Sequence, residues 1–125
     1  GGHVTIEDSV VIGGNSAVQQ FTRIGRLAMI GGMTGVLKDV IPFGLSFGNR
    51  NYLQGINLIG LRRKKYENKK IIELDNAYKK IFSSSKLHEN LNKINGEYKG
   101  NELVLEVTKF IEKDKKRPIC VPMSK

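Results

Sequence analysis

Few side chains in this 125-residue chain can move a proton or attack an electrophile near neutral pH: His3, His88 and Cys120. An imidazole titrates close to neutrality, so a histidine within reach of a hydroxyl can serve as its general base. His3 stands in "GGHV", which reads as a loop or the edge of a repeat. His88 falls in a lysine-rich stretch and is expected on the surface of a helix. Cys120 has no second cysteine to pair with, which fits a reducing compartment, and it reads as a spectator in an extended tail. The rest of the chemistry is cationic. Lys and Arg total 21 against 12 Asp and Glu, a net charge of +9. Residues 1–36 hold Arg23 and Arg26 against Glu7 and Asp8, so the whole excess lies beyond Val36. A basic surface suits nucleic acid, phosphate esters or an acidic protein, and charge alone does not choose among them. Aromatic residues make up only 7% of the chain and no groove-reading motif is present, which argues against nucleic acid. No apolar run approaches the roughly 18 residues of a membrane span, and no secretory leader is visible.

The element that must position these groups announces itself by period. Ile6, Ile12, Val18, Ile24, Ile30 and Val36 recur every six residues. Two residues before each stand Val4, Val10, Ser16, Thr22, Ala28 and Thr34, all small or β-branched. "GGNSAV" at 13–18 returns as "GGMTGV" at 31–36. Six fits helix and strand periods alike, but β-branched residues at the repeating sites favour strands and the glycine pairs weaken a helix. A hexapeptide repeat is the signature of a parallel β-helix. Three hexads close one coil of eighteen residues, with the aliphatic positions stacked inside. The glycines are expected near corners that need positive φ or close backbone approach. Two coils fall short of the three or more that stacked repeats usually need, so further coils are expected upstream of residue 1.

After Val36 the period fades through "LKDVIPFGLSFGN", which reads as a last partial coil. Residues 1–50 are therefore assigned to the end of a β-helix of about two to three coils, and 51–125 to a C-terminal α-helical domain. "YLQGINLIGLRRKK" reads as a short helix despite its glycines. "ENKKIIELDNAYKKIFSS" is a stronger one, with Ile71, Leu74, Tyr78 and Ile81 on one side. "KLHENLNKI" and "NELVLEVTKFIEK" carry the stripes Leu87, Leu91, Ile94 and Val104, Val107, Ile111. "NGEYKGN" reads as the turn between them, and the two prolines of "KKRPICVPMSK" make the tail extended. The lysines of these helices are expected to form a solvated face.

Five phrases taken together, "GGHVTIEDSVVIGG", "GGMTGVLKDVIPFG", "GN" at 48–49, "GINLIGLRR" and "NAYKKIF", resemble one family. The chain looks like the C-terminal half of the UDP-N-acetylglucosamine O-acyltransferase that opens lipid A biosynthesis in Gram-negative bacteria. The hexads alone indicate only the broad hexapeptide-transferase superfamily; "GLRR" and "NAYKKI" narrow it. The resemblance implies a homotrimer of left-handed parallel β-helices, against the usual right-handed rule, with each active site between neighbouring subunits. It implies transfer of a 3-hydroxyacyl chain from acyl carrier protein to the glucosamine 3-hydroxyl of UDP-N-acetylglucosamine, in the cytoplasm, without metal or cofactor. The family's general-base histidine is expected one coil before residue 1. No catalytic residue is assigned within this chain, and the isolated chain is expected to be inactive.

By the same resemblance, His3 matches a histidine that lines the sugar site, and Gln20 a glutamine that holds the nucleotide substrate. Asn57 matches an asparagine at the uracil end, where an amide's paired donor and acceptor fit. Arg63 matches an arginine at the phosphates, and Lys64 stands where relatives often have a second one, keeping the charge but not the fork. Gly32 matches the position that stops the fatty chain; glycine there implies an open groove and a longer acyl donor. The chain departs from the pattern at Gln19, often histidine, at Ile59, which can be acidic, and at Lys65, commonly glycine. Two alternatives stay open: a non-catalytic trimerisation or binding module, and another hexapeptide acyltransferase such as the N-acyltransferase later in the same pathway. "GLRR" and the long helical tail argue against the latter.

Overall fold

A computed structural model describes residues 3–48 and 51–123. The hexads are extended for two residues each, giving β1 (Thr5–Ile6), β2 (Val11–Ile12), β3 (Ala17–Val18), β4 (Arg23–Ile24), β5 (Met29–Ile30) and β6 (Gly35–Val36). β1 pairs with β4, β2 with β5 and β3 with β6, all parallel, and every partner is eighteen residues away. The strands form three faces of a prism, here A (β1, β4), B (β2, β5) and C (β3, β6). Ile6 stacks on Ile24, Ile12 on Ile30 and Val18 on Val36, as a β-helix requires. Ile24, Ile30 and Val36 are wholly buried, and Thr22, Ala28 and Thr34 point inward beside them. Ile6 and Ile12 keep 49% and 37% exposure, because among the described residues nothing stacks on their outer side.

The corners decide between the two roles expected of the glycines. Positive φ falls not on the paired glycines but on Ser9, Asn15, Phe21, Leu27 and Met33, each three residues after a ladder position, with φ between 58° and 68°. A left-handed conformation costs most L-residues on the order of 1 kcal/mol, so the stacked coils impose it on Phe21, Leu27 and Met33, which do not favour it, whereas Asn15 tolerates it. Several glycines serve close approach instead, though Gly14 does not. A Cβ on Gly13 would run into the backbone of Gly32 one coil on, and a Cβ on Gly25 into Pro42.

The winding goes on past Val36, with a shorter step. Val40 bridges Ile24, and β7 (Gly44–Phe47) lies parallel on β5 with Leu45 opposite Met29, sixteen residues away in both cases. Two residues are lost between Val36 and Val40, which is why the period of six fades there. β8 (Tyr52–Ile56) then turns back antiparallel on β7, skipping Gln54 at a bulge beside Gly55 (φ 135°). A reversed strand cannot lead into another coil, and the solenoid stops. The helix expected over "YLQGINLIGLRRKK" is therefore half strand: the Leu53 to Ile56 spacing mimicked a helical stripe, and only Leu58–Arg63 (α1) is helical. Residues from 51 thus begin on sheet B. Asn49, in the quoted "GN", lies outside the described residues.

Three longer helices follow: α2 (Asn68–Ile81), α3 (Leu87–Glu97) and α4 (Glu102–Lys113). Their apolar stripes are buried as expected, with Ile71, Leu74, Ile81, Leu91, Ile94, Val104, Val107 and Ile111 in the core and Tyr78 and Leu87 half-buried. α3 runs to Glu97, further than the expected turn allowed. Asn101 caps α4 by accepting from the Leu103 and Val104 amides (2.9 and 3.2 Å) while its nitrogen donates to the Lys70 carbonyl on α2 (3.1 Å). The extended tail returns to the solenoid, with Ile119 bridging Asp39 and Pro122 bridging Leu53. Asp39 is fully buried and accepts from the Arg23 amide and Nε (2.9 and 2.7 Å) and from Arg117 (3.0 Å), locking coil and tail together.

Candidate substrate groove

The outward side chain of each strand is the one just before the ladder position, and the three faces differ. Face A shows Thr5 and Arg23, face C the small Ala17 and Gly35, and face B the apolar row Val11, Met29 and Leu45 in register. α1 packs beside face B because Asn57, at its N-terminus, is pinned to the corner between faces A and B. The Asn57 amide donates to the Leu27 carbonyl (2.9 Å) and accepts from the Gly60 amide (3.1 Å), capping the helix. Between face B and α1 lies a groove of about 910 Å³. Its floor is the row Val11, Met29, Leu45; Ile59 and Phe47 add apolar surface, and Arg62, Arg63 and Lys64 line its other side. A slot that is apolar along one wall and cationic along the other suits a ligand with a fatty part and an anionic part.

The expected site residues fall on three different corners of the prism. Asn57, Arg63 and Lys64 share the groove. Asn57 is buried and committed to holding α1, whereas Arg63 and Lys64 are exposed. His3 and Gln20 lie together at the corner between faces C and A, both exposed. The His3 ring stacks on Phe21 with centroids 5.8 Å apart and planes 4° from parallel, and its carbonyl accepts from the Phe21 amide. Gly32 lies at the corner between faces B and C. A Cβ there would meet only the backbone of Gly14, in a tight contact 3.3 Å from its carbonyl oxygen, and the backbone is not left-handed, so close approach and not φ favours glycine here. Within one chain these three groups do not converge. Of the departures, Gln19 is exposed, Ile59 lines the groove with 64% exposure, and Lys65 takes a left-handed φ of 64°, a conformation that glycine adopts without cost. His88 is exposed, as expected.

Sequence reasoning missed the apolar row and Arg26. The row was readable, since taking the residue before each ladder position at a stride of eighteen yields Val11 and Met29; Leu45 was hidden by the short third coil. Arg26 was not readable, because its partners Tyr66 and Glu106 lie 40 and 80 residues on. Cys120 is buried beside Ser46 and Asn51, and burial pushes its thiol up to about 11. That is the opposite of what a nucleophile needs, in keeping with a spectator.

A family model described as UDP N-acetylglucosamine O-acyltransferase, domain 2, matches residues 39–120. The acyl-[acyl-carrier-protein]–UDP-N-acetylglucosamine O-acyltransferase of Rhizobium rhizogenes is 40% identical over 122 residues, 97% of this chain and 45% of that protein. Among solved structures, the UDP-N-acetylglucosamine acyltransferase of Arabidopsis superposes with a TM-score of 0.87 at 33% identity, over 94% of this chain and 44% of that one. The enzyme from Campylobacter jejuni gives 0.84 at 30% identity, over 98% and 47%. The chain spans slightly under half the length of these relatives. With the family model matched over most of its residues, the chain belongs to the UDP-N-acetylglucosamine O-acyltransferase family.

Proposed function

We propose that this chain is the C-terminal part of an acyltransferase that moves a 3-hydroxyacyl group from acyl carrier protein to the 3-hydroxyl of UDP-N-acetylglucosamine, the first step of lipid A biosynthesis, in the cytoplasm. The observation that carries the reading is the groove itself, with an apolar row for the fatty chain opposite Arg63 and Lys64 for a diphosphate. Arg63 offers a planar fork to phosphate oxygens and Lys64 a point charge. Asn57 lines the same groove, where the family resemblance puts the uracil end.

The separation of the other residues supports a trimeric site. His3 and Gln20, at the sugar and nucleotide, and Gly32, at the end of the acyl groove, sit on corners that a single chain holds apart. A threefold assembly sets a corner of one chain against the groove of the next. In this reading the coils wind left-handed, and the helices α1 to α4 belong to the C-terminal part that meets the acidic carrier protein, whose approach a basic surface speeds. No residue of this chain is assigned as the base. A histidine one coil upstream would take the hydroxyl proton as oxygen attacks the thioester.

The test compares acyl transfer by this chain with that by the longer polypeptide carrying it. The longer polypeptide should turn over and the isolated chain should not. Robust turnover by the isolated chain, or an upstream segment without hexads and histidine, would sink the reading.

A further inference from the structure

α1 carries the cations of the proposed phosphate site yet has little means of holding itself. It has six residues, against the roughly 12–15 an isolated helix needs. Its C-terminal end is a Schellman turn, in which the Lys65 amide donates to the Arg62 carbonyl (2.9 Å) and the Tyr66 amide to the Leu61 carbonyl (3.3 Å). Lys65 occupies the left-handed position of that turn, where glycine is the usual residue. Something outside the helix must hold this end in place.

One corner of the second coil holds both ends. Leu27 takes the Asn57 amide at the N-terminus. Arg26, the residue before it, donates from Nη2 to the Tyr66 hydroxyl (2.9 Å) just past the C-terminus. Arg26 is itself fixed from three sides. It makes a two-point ion pair with Glu106 on α4 (2.9 and 3.0 Å), its backbone amide donates to Glu7 on the first coil (2.9 Å), and its guanidinium lies 5.2 Å from the centre of the Phe43 ring. Glu106, outweighing the burial that opposes it, holds the guanidinium charged, with Tyr66 adding to the effect.

We propose that Arg26 is a positioning residue for the nucleotide diphosphate. Acting through Tyr66, it fixes the C-terminal end of α1 so that Arg63 and Lys64 meet the phosphates in a geometry fit for paired hydrogen bonds. This rests on the phosphate reading of Arg63 and Lys64 given above.

The experiment is calorimetric titration of UDP into the longest polypeptide carrying this sequence, with thermal unfolding run alongside. Tyr66→Phe, which deletes one hydroxyl and keeps the ring, should weaken UDP binding by about 3- to 10-fold, the scale of one hydrogen bond. Arg26→Ala should weaken it at least as much, with Arg26→Lys between Ala and the parent. In an Arg63→Ala/Lys64→Ala background, Tyr66→Phe should change nothing further, because the groups it positions are gone. If the Arg63→Ala/Lys64→Ala pair binds UDP as well as the parent, the phosphate reading fails and takes this proposal with it. If that pair loses affinity but Tyr66→Phe does not, positioning alone is overturned. An equal loss from Tyr66→Phe in both backgrounds would mean a merely structural role and would overturn it too.

Discussion

The two ends of the β-helix carry the same inward ladder and meet different surroundings. At the β1–β2 end, Ile6 and Ile12 face inward but stay partly exposed, at 49% and 37%. At the β7–β8 end, the ladder is closed by a reversed strand, by the returning tail and by a polar lock. Asp39 ties Arg23 to Arg117 there, and Ser46 replaces the aliphatic residue above Ile30. Asn51 completes it: in the orientation that pairs its polar atoms, its oxygen accepts from the Leu37 and Lys38 amides (3.1 and 3.2 Å) and its nitrogen donates to Ser46. Those two amides belong to the turn that lost two residues, so a side chain supplies what a longer turn would have. An inward position in a stacked repeat becomes a buried one only when a neighbour covers it, and this chain builds its own cover at one end.

The largest effect should come from breaking that cover. Asp39→Ala leaves Arg23 and Arg117 without their shared acceptor in a buried site, and should cost about 3–5 kcal/mol in denaturant unfolding. If the loss is under about 1 kcal/mol, the lock is ornamental and the strand reversal alone closes the end. Next is Ile30→Ala, in the fully covered second coil, at about 2–5 kcal/mol, the range for truncating a packed aliphatic side chain.

The closed end also has a pH signature. Burial holds the Cys120 thiol at about 11 against an ordinary 9.0, so the folded chain keeps its proton where the unfolded chain has lost it. The sign follows from proton count: between pH 9 and 11 the unfolded state binds fewer protons, so stability falls as pH rises through that window and is complete below it. Cys120→Ser or Cys120→Ala should flatten that decline, measured as the unfolding midpoint against pH. An unchanged slope would mean the thiol is wetter than its packing indicates.

How far sequence reasoning reached follows the range of the interactions. The ladder was legible because a β-helix repeats one local rule, and the helical stripes because each lies within one element. The corners were not, because Phe21, Leu27 and Met33 have no preference for the left-handed conformation that stacking imposes on them. The short third coil was hidden for a similar reason: no residue between Val36 and Val40 signals a missing pair, and the compensating Asn51 lies past β7. Of the groove, the cations of α1 came through family resemblance. The apolar row was present at a stride of eighteen, and the Arg26–Tyr66–Glu106 clamp depends on contacts that only the folded chain brings together.

The smallest effect sharpens the comparison most. Ile12→Ala removes the same atoms as Ile30→Ala from the same face, one coil away. With 37% of its surface still exposed, Ile12 has less transfer free energy to lose, and the open side leaves no enclosed cavity behind. Its cost in this chain should be below about 1 kcal/mol, several-fold less than Ile30→Ala. In a longer polypeptide with a coil stacked on β1 to β3, the two costs should draw together, because Ile12 would then have neighbours on both sides. Equal costs in this chain would mean that burial by a neighbour does not set the strength of the ladder; unequal costs in the longer polypeptide would mean that its upstream segment does not continue the stack.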